Sequence, residues 1–76
     1  MTINDVCREL VRRLPEAIEA DPRTLELVVR FQLPSGDDRF FAIPKPLGPV
    51  DHGEMDELVQ QASCLIAADT YLHSKS

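Results

Sequence analysis

Apolar residues recur at helical spacing over the first quarter of the chain. Ile3, Val6, Cys7, Leu10, Val11, Leu14, Ala17 and Ile18 share one face, and Asp5, Arg8, Glu9, Arg12, Glu16 and Glu19 take the other. The pattern predicts an amphipathic helix over residues 3–20. Thr2, with Asp5 three positions on, supplies a capping pair at its start. Pro15 falls inside the stretch, where it would lose a hydrogen bond and crowd the Val11 carbonyl. The apolar stripe keeps its phase across Pro15, so one kinked helix is expected, stopped at Asp21-Pro22.

The period then changes from helical to two. In residues 24–33, Leu25, Leu27, Val29, Phe31 and Leu33 alternate with Glu26, Val28, Arg30 and Gln32, as in a half-buried strand. Pro34, Ser35, Gly36, Asp37 and Asp38 carry turn chemistry. Residues 39–43, RFFAI, make the returning strand of a hairpin whose register stays open, and Pro44 and Pro46 end it.

Helical spacing resumes over residues 51–72. Asp51 is a favourable N-cap, Glu54 completes a capping box, and Val50 and Met55 occupy the positions of a hydrophobic staple. Met55, Leu58, Val59, Ala62, Leu65 and Ile66 form the predicted core stripe. Cys64, Ala67, Ala68 and Tyr71 lie on nearly the opposite side, a surface widened by Leu72. Asp69 falls in the core stripe by phase. It is expected to be solvated beside His73, the alternative being an arginine from the first helix or from a partner chain. The closing residues, His73 to Ser76, are expected to fray.

These elements give an α+β fold class. The expectation is one α-β-β-α domain over residues 1–76, an antiparallel hairpin packed against two helices, with the sheet open to extension by dimerisation.

Phe40 and Phe41 complicate that picture. Successive strand residues point to opposite faces, so only one of the two rings can pack beside Phe31; the other emerges near Val28 or Ala42. A lone hairpin is marginal, and its edges offer unpaired backbone groups. The second helix is apolar most of the way round, as helices buried on both sides are. A second copy of the chain is the economical source of cover. Phe40, Phe41, Val28, Cys64, Ala67, Ala68 and Tyr71 are therefore the candidate interface residues.

Size strengthens the case for a partner. A chain of 76 residues buries only about 60% of its unfolded surface, and its core supplies roughly 3–5 kcal/mol unless something helps. Hydrophobic residues make up 43% and charged residues 28%, a globular composition. The net charge is −5, with the excess in Asp51, Glu54, Asp56 and Glu57. That balance gives no bulk attraction to nucleic acid or anionic lipid, so neither is an expected partner. No basic stretch leads into an apolar run at the start, and no segment approaches the ~20 apolar residues of a membrane span. A cytoplasmic setting is expected, with Cys7 and Cys64 reduced.

Candidate chemistry is sparse. His52 lies among Asp51, Glu54 and Asp56, but these carboxylates have capping and helix-dipole roles, and a metal site needs three or four converging ligands. Arg8, Arg12 and Arg13 could form a nucleic-acid patch, but Glu9–Arg13 and Arg12–Glu16 are i,i+4 pairs, ordinary chemistry for a helix surface, and no aromatic platform accompanies them. Cys7 reads as a small buried hydrophobe, and no nucleophile with a base and an orienting group can be assembled. The expectation is no catalytic, cofactor or metal site, and hence no enzyme.

An acidic, small α-β-β chain of this order is similar, in composition and element order alone, to secretion chaperones that cradle effector segments. It lacks the further strands those chaperones carry, and no residue role transfers. The functional expectation is a self-associating, non-catalytic protein–protein interaction module, a homodimer with room for a second protein. The alternatives are a small-molecule-binding domain and a chaperone-like accessory protein.

Overall fold

The structure, a computed structural model, describes residues 1–74; Lys75 and Ser76, part of the segment expected to fray, lie outside the described residues. The element order is α1 (Ile3–Arg13), β1 (Ala17–Pro22), β2 (Glu26–Gln32), β3 (Asp38–Pro44) and α2 (His52–Ser74). It is a small α+β domain in which two helices pack against an antiparallel sheet.

α1 begins as its sequence requires. The Asp5 N–H donates to Thr2 Oγ1 and the Thr2 N–H donates to Asp5 Oδ2, a complete capping box. Its end corrects the expected helix over 3–20. Leu14 is extended, with φ −108° and ψ 106°, and the helix stops at Arg13. The cause is Pro15, whose ring excludes the preceding residue from helical geometry. The periodic apolar residues beyond it belong to a strand.

That strand, β1, turns the expected two-stranded hairpin into a three-stranded meander of order β1-β2-β3. It pairs antiparallel with β2, Ala20 opposite Val29 and Asp21 opposite Val28. The Gln32 N–H donates to the Glu16 carbonyl at 3.1 Å and the Arg23 N–H to the Glu26 carbonyl at 2.7 Å. Without β1, the second row of β2 backbone groups would need water or other partners. Pro22 is tolerated because β1 is an edge strand.

β2 alternates as its sequence predicts. Leu27, Val29 and Phe31 are buried, while Val28 and Arg30 are half-buried on the reverse face. Leu25 precedes the strand and is 78% exposed, so it does not join the inward row. The turn to β3 closes with the Gly36 N–H on the Leu33 carbonyl at 2.9 Å, and Gly36 takes φ +96°, a value that excludes most side chains. β3 then pairs with β2, placing Phe41 opposite Val29, Phe40 opposite Arg30 and Ala42 opposite Val28.

α2 opens on Asp51, whose Oδ1 accepts from the Glu54 N–H at 2.8 Å. Val50 and Met55 are both buried at this entry. The Met1 amino group donates to the Val50 carbonyl at 2.8 Å, and the Val50 N–H donates to the Met1 carbonyl at 3.2 Å, joining the chain start to the lead-in of α2. One core results. Val6, Leu10 and Leu14 from the α1 segment and Met55, Ala62 and Ile66 from α2 cover Leu27, Val29, Phe31 and Ile43. Both helices lie on one face of the sheet, and among the described residues no layer covers the reverse face.

Candidate interaction surface

The uncovered sheet face is built from the residues that alternate away from the core. Phe40 is 64% exposed there, cross-strand from Arg30. Val28 is half-buried beside exposed Ala42. The Arg30 guanidinium reaches Glu19 of β1 at 3.9 Å, and its Nε is enclosed without a hydrogen-bond partner. Phe41 points to the helices and meets Phe31 in a tilted contact with ring centroids 5.7 Å apart. The adjacent rings therefore divide between the two faces, and Phe41 is not part of the open one.

The remaining interface candidates sit on α2. Cys64, Ala67 and Ala68 are exposed and Tyr71 is 58% exposed. Tyr71 and Ala67 flank a shallow groove beside Glu16, on the side of the α1–β1 turn. The core stripe of α2 is narrower than its sequence suggests. Met55, Ala62 and Ile66 are buried and Leu58 and Val59 are partly so, but Leu65 is 39% exposed. Leu72 is 69% exposed. Leu58, Leu65 and Leu72 recur every seven residues and so form one ridge along the helix. That spacing is legible in the sequence; that Leu58 packs against the core while Leu65 and Leu72 lie outside it is not.

Asp69 marks which side of α2 this ridge occupies. Arg39 of β3 donates from Nε to Asp69 Oδ2 at 2.9 Å and from Nη2 to Oδ1 at 3.2 Å, and His73 Nε2 lies 3.3 Å from Oδ1. Asp69 is thus paired rather than simply solvated, and its arginine comes from the sheet rather than from the first helix. The Arg39 hydrogen bonds, with the charges of Arg39 and His73, hold its carboxyl below the usual aspartate range against a smaller effect of burial. Asp69 is four residues from Leu65 and three from Leu72, so the leucine ridge lies toward β3. Asp56, on the other flank, accepts from Arg13 of α1 at 2.7 Å.

The arginines of α1 are occupied by carboxylates. Arg8 pairs with Asp5, and Arg12 and Arg13 both grip Glu9, at 2.7 and 2.8 Å. Arg12 pairs with Glu9 rather than with Glu16. This grip, Arg12 first, lowers the Glu9 carboxyl to about 2. Cys7 is buried, and desolvation together with the charge of Asp21 pushes its thiol up, away from reactivity. His52 is exposed at the start of α2. Among the described residues no group of three or more His, Cys, Asp or Glu side chains could hold a metal ion. No helix of the described residues is long and apolar enough to cross a membrane.

The chain matches no protein-family profile, no curated protein sequence and no solved structure.

Proposed function

We propose that this chain is a non-catalytic protein–protein interaction module that acts through self-association. One observation carries the reading. Apolar side chains remain uncovered on both sides of the sheet, Phe40 on the open sheet face and Leu65 and Leu72 on the outer flank of α2. Single exposed hydrophobics are ordinary, but several large ones left exposed on a domain this small favour an interaction surface. A second copy also supplies the extra burial that a chain of this length lacks.

Small-molecule binding in the layer between helices and sheet has less support. Leu27, Val29, Phe31, Ile43 and Met55 fill that layer, each at most 1% exposed. A reducing, cytoplasmic setting suits two free thiols. Sedimentation velocity across micromolar concentrations tests the reading. A shift from 8.5 kDa to twice that mass is expected, and a single 8.5 kDa species at every concentration overturns it.

A further inference from the structure

The two free edges of the sheet are not equivalent. In an antiparallel ladder, residues alternate between pointing their backbone groups at the neighbouring strand and away from it. The Lys45 N–H donates to the Leu25 carbonyl and the Leu33 N–H to the Asp37 carbonyl, so the odd-numbered residues of β3 face β2. The N–H and C=O groups of Asp38, Phe40 and Ala42, and the carbonyl of Pro44, therefore face outward. The edge of β1 is blunted by a bulge between Ala17 and Glu19 and by Pro22, which has no N–H. β3 has no bulge, and its Pro44 stands at the end.

Alongside the β3 edge runs the α2 leucine ridge. α2 leaves β3 through a short connector and returns so that Asp69 meets Arg39, near the start of the strand. It therefore runs antiparallel to β3. Thr70 shares a small pocket with Leu33, the residue after β2, while Asp69 reaches β3, and together these place α2 over the groove between the two strands. That position leaves about 10 Å between two copies of α2 when two copies of β3 pair at about 4.8 Å.

We infer that β3 pairs antiparallel with β3 of a second copy, about a two-fold axis at Phe41, to make a continuous six-stranded sheet capped by an antiparallel pair of α2 helices. This rests on the self-association reading and adds its interface and register. The register follows from three matches about one axis. Phe40 and the second copy's Ala42 exchange both ladder hydrogen bonds, and Pro44 accepts from the second copy's Asp38. Asp37, just before β3, falls opposite the second copy's Lys45, just after it, so opposite charges meet at both ends. On the helix layer Leu65 meets its own copy, and Leu58 meets Leu72. The matched spans agree, about 23 Å for seven strand residues and about 21 Å for Leu58 to Leu72.

Charge exchange tests the register on the full chain. By sedimentation, Asp37→Lys and Lys45→Asp should each weaken dimerisation about 10-fold or more, and the double exchange should return it to within about three-fold of the wild type. Amide hydrogen exchange supplies a readout independent of any variant. The Phe40 and Ala42 amides should be protected at high concentration and lose protection on dilution, whereas the Phe41 amide stays protected at both. A wild-type chain that never dimerises overturns this interface together with the reading beneath it. A dimer indifferent to either charge reversal, or one whose Phe40 and Ala42 amides exchange freely, overturns the interface and leaves self-association standing.

Discussion

The two helices use their apolar residues differently. α1 is short and sits with Val6 and Leu10 fully buried, and its charged face is closed by ion pairs within the helix and one to α2. α2 is twice as long, yet Met55, Ala62 and Ile66 are its only buried described residues, and Leu65 and Leu72 lie outside the core. An amphipathic helix that matches its core has no surplus apolar surface. A helix that outruns its core keeps a flank for something else. The lesson is that apolar content alone does not mark a core; length relative to the layer beneath decides how much of it the fold absorbs.

The sharpest way to break this contrast is a pair of truncations. Leu10→Ala should cost about 2–5 kcal/mol of folding stability, because it removes packing from a site that is 0% exposed. Leu72→Ala should change the stability of the monomer by less than about 0.5 kcal/mol, since that side chain is already largely in water. Denaturant melts at low protein concentration separate the two. Comparable losses from both would show that the outer flank of α2 belongs to the fold.

The same contrast can be drawn across one strand. Phe41→Asp puts a charge beside Phe31 and should unfold the domain or bring it close to unfolding. Phe40→Asp should leave the fold intact, seen as an unchanged circular dichroism spectrum, and weaken association in sedimentation. Equal unfolding by both would place each ring in one protomer's core.

Within α2, Ile66→Ala should destabilise by about 2–4 kcal/mol and Leu65→Ala by less than about 1 kcal/mol in the monomer. In the proposed dimer this order should reverse for association, Leu65→Ala being the more damaging, and a concentration series of melts reads both effects.

The smallest effect is electrostatic. Glu9 titrates near 2 in the folded chain, below its ordinary 4.5, so the contribution of its arginine grip is complete above pH 4.5 and is lost as pH falls toward 2. Asp69, also lowered, loses its contribution in the same direction. Both groups are solvent-accessible, which keeps the contributions modest. Glu9→Gln should flatten the fall in melting temperature below pH 4.5. An unchanged acid limb would show that these pairs do not contribute to stability.

Much of this architecture can be read along the chain. The period-two run in β2, the turn around Gly36 and the capping chemistry at Thr2 and Asp51 are local, and local sterics and hydrogen bonding suffice to specify them. The exit from α1 was also written there, in Pro15. It was obscured because Ala17 and Ile18 keep the helical phase while they fold as a strand. Eight apolar positions at helical spacing favour a continued helix and one proline opposes it; the proline prevails because β2 offers backbone partners that a continued helix cannot use.

Alternation alone required that Phe40 and Phe41 part company, because neighbouring strand residues cannot share a face. Which ring turned inward depended on the pairing of β2 with β3, since Phe41 had to stand opposite inward-facing Val29. Likewise, the i,i+7 leucines of α2 are a property of the chain, but the exposure of Leu65 and Leu72 arises from a sheet of three strands that is too narrow for two helices to be covered all round. The partner of Asp69 was settled the same way. Arg39 is 30 residues distant in sequence and meets it only because α2 folds back along β3. Short-range chemistry set the elements; the assignment of each apolar face to core or to solvent came from contacts that exist only once distant segments are stacked.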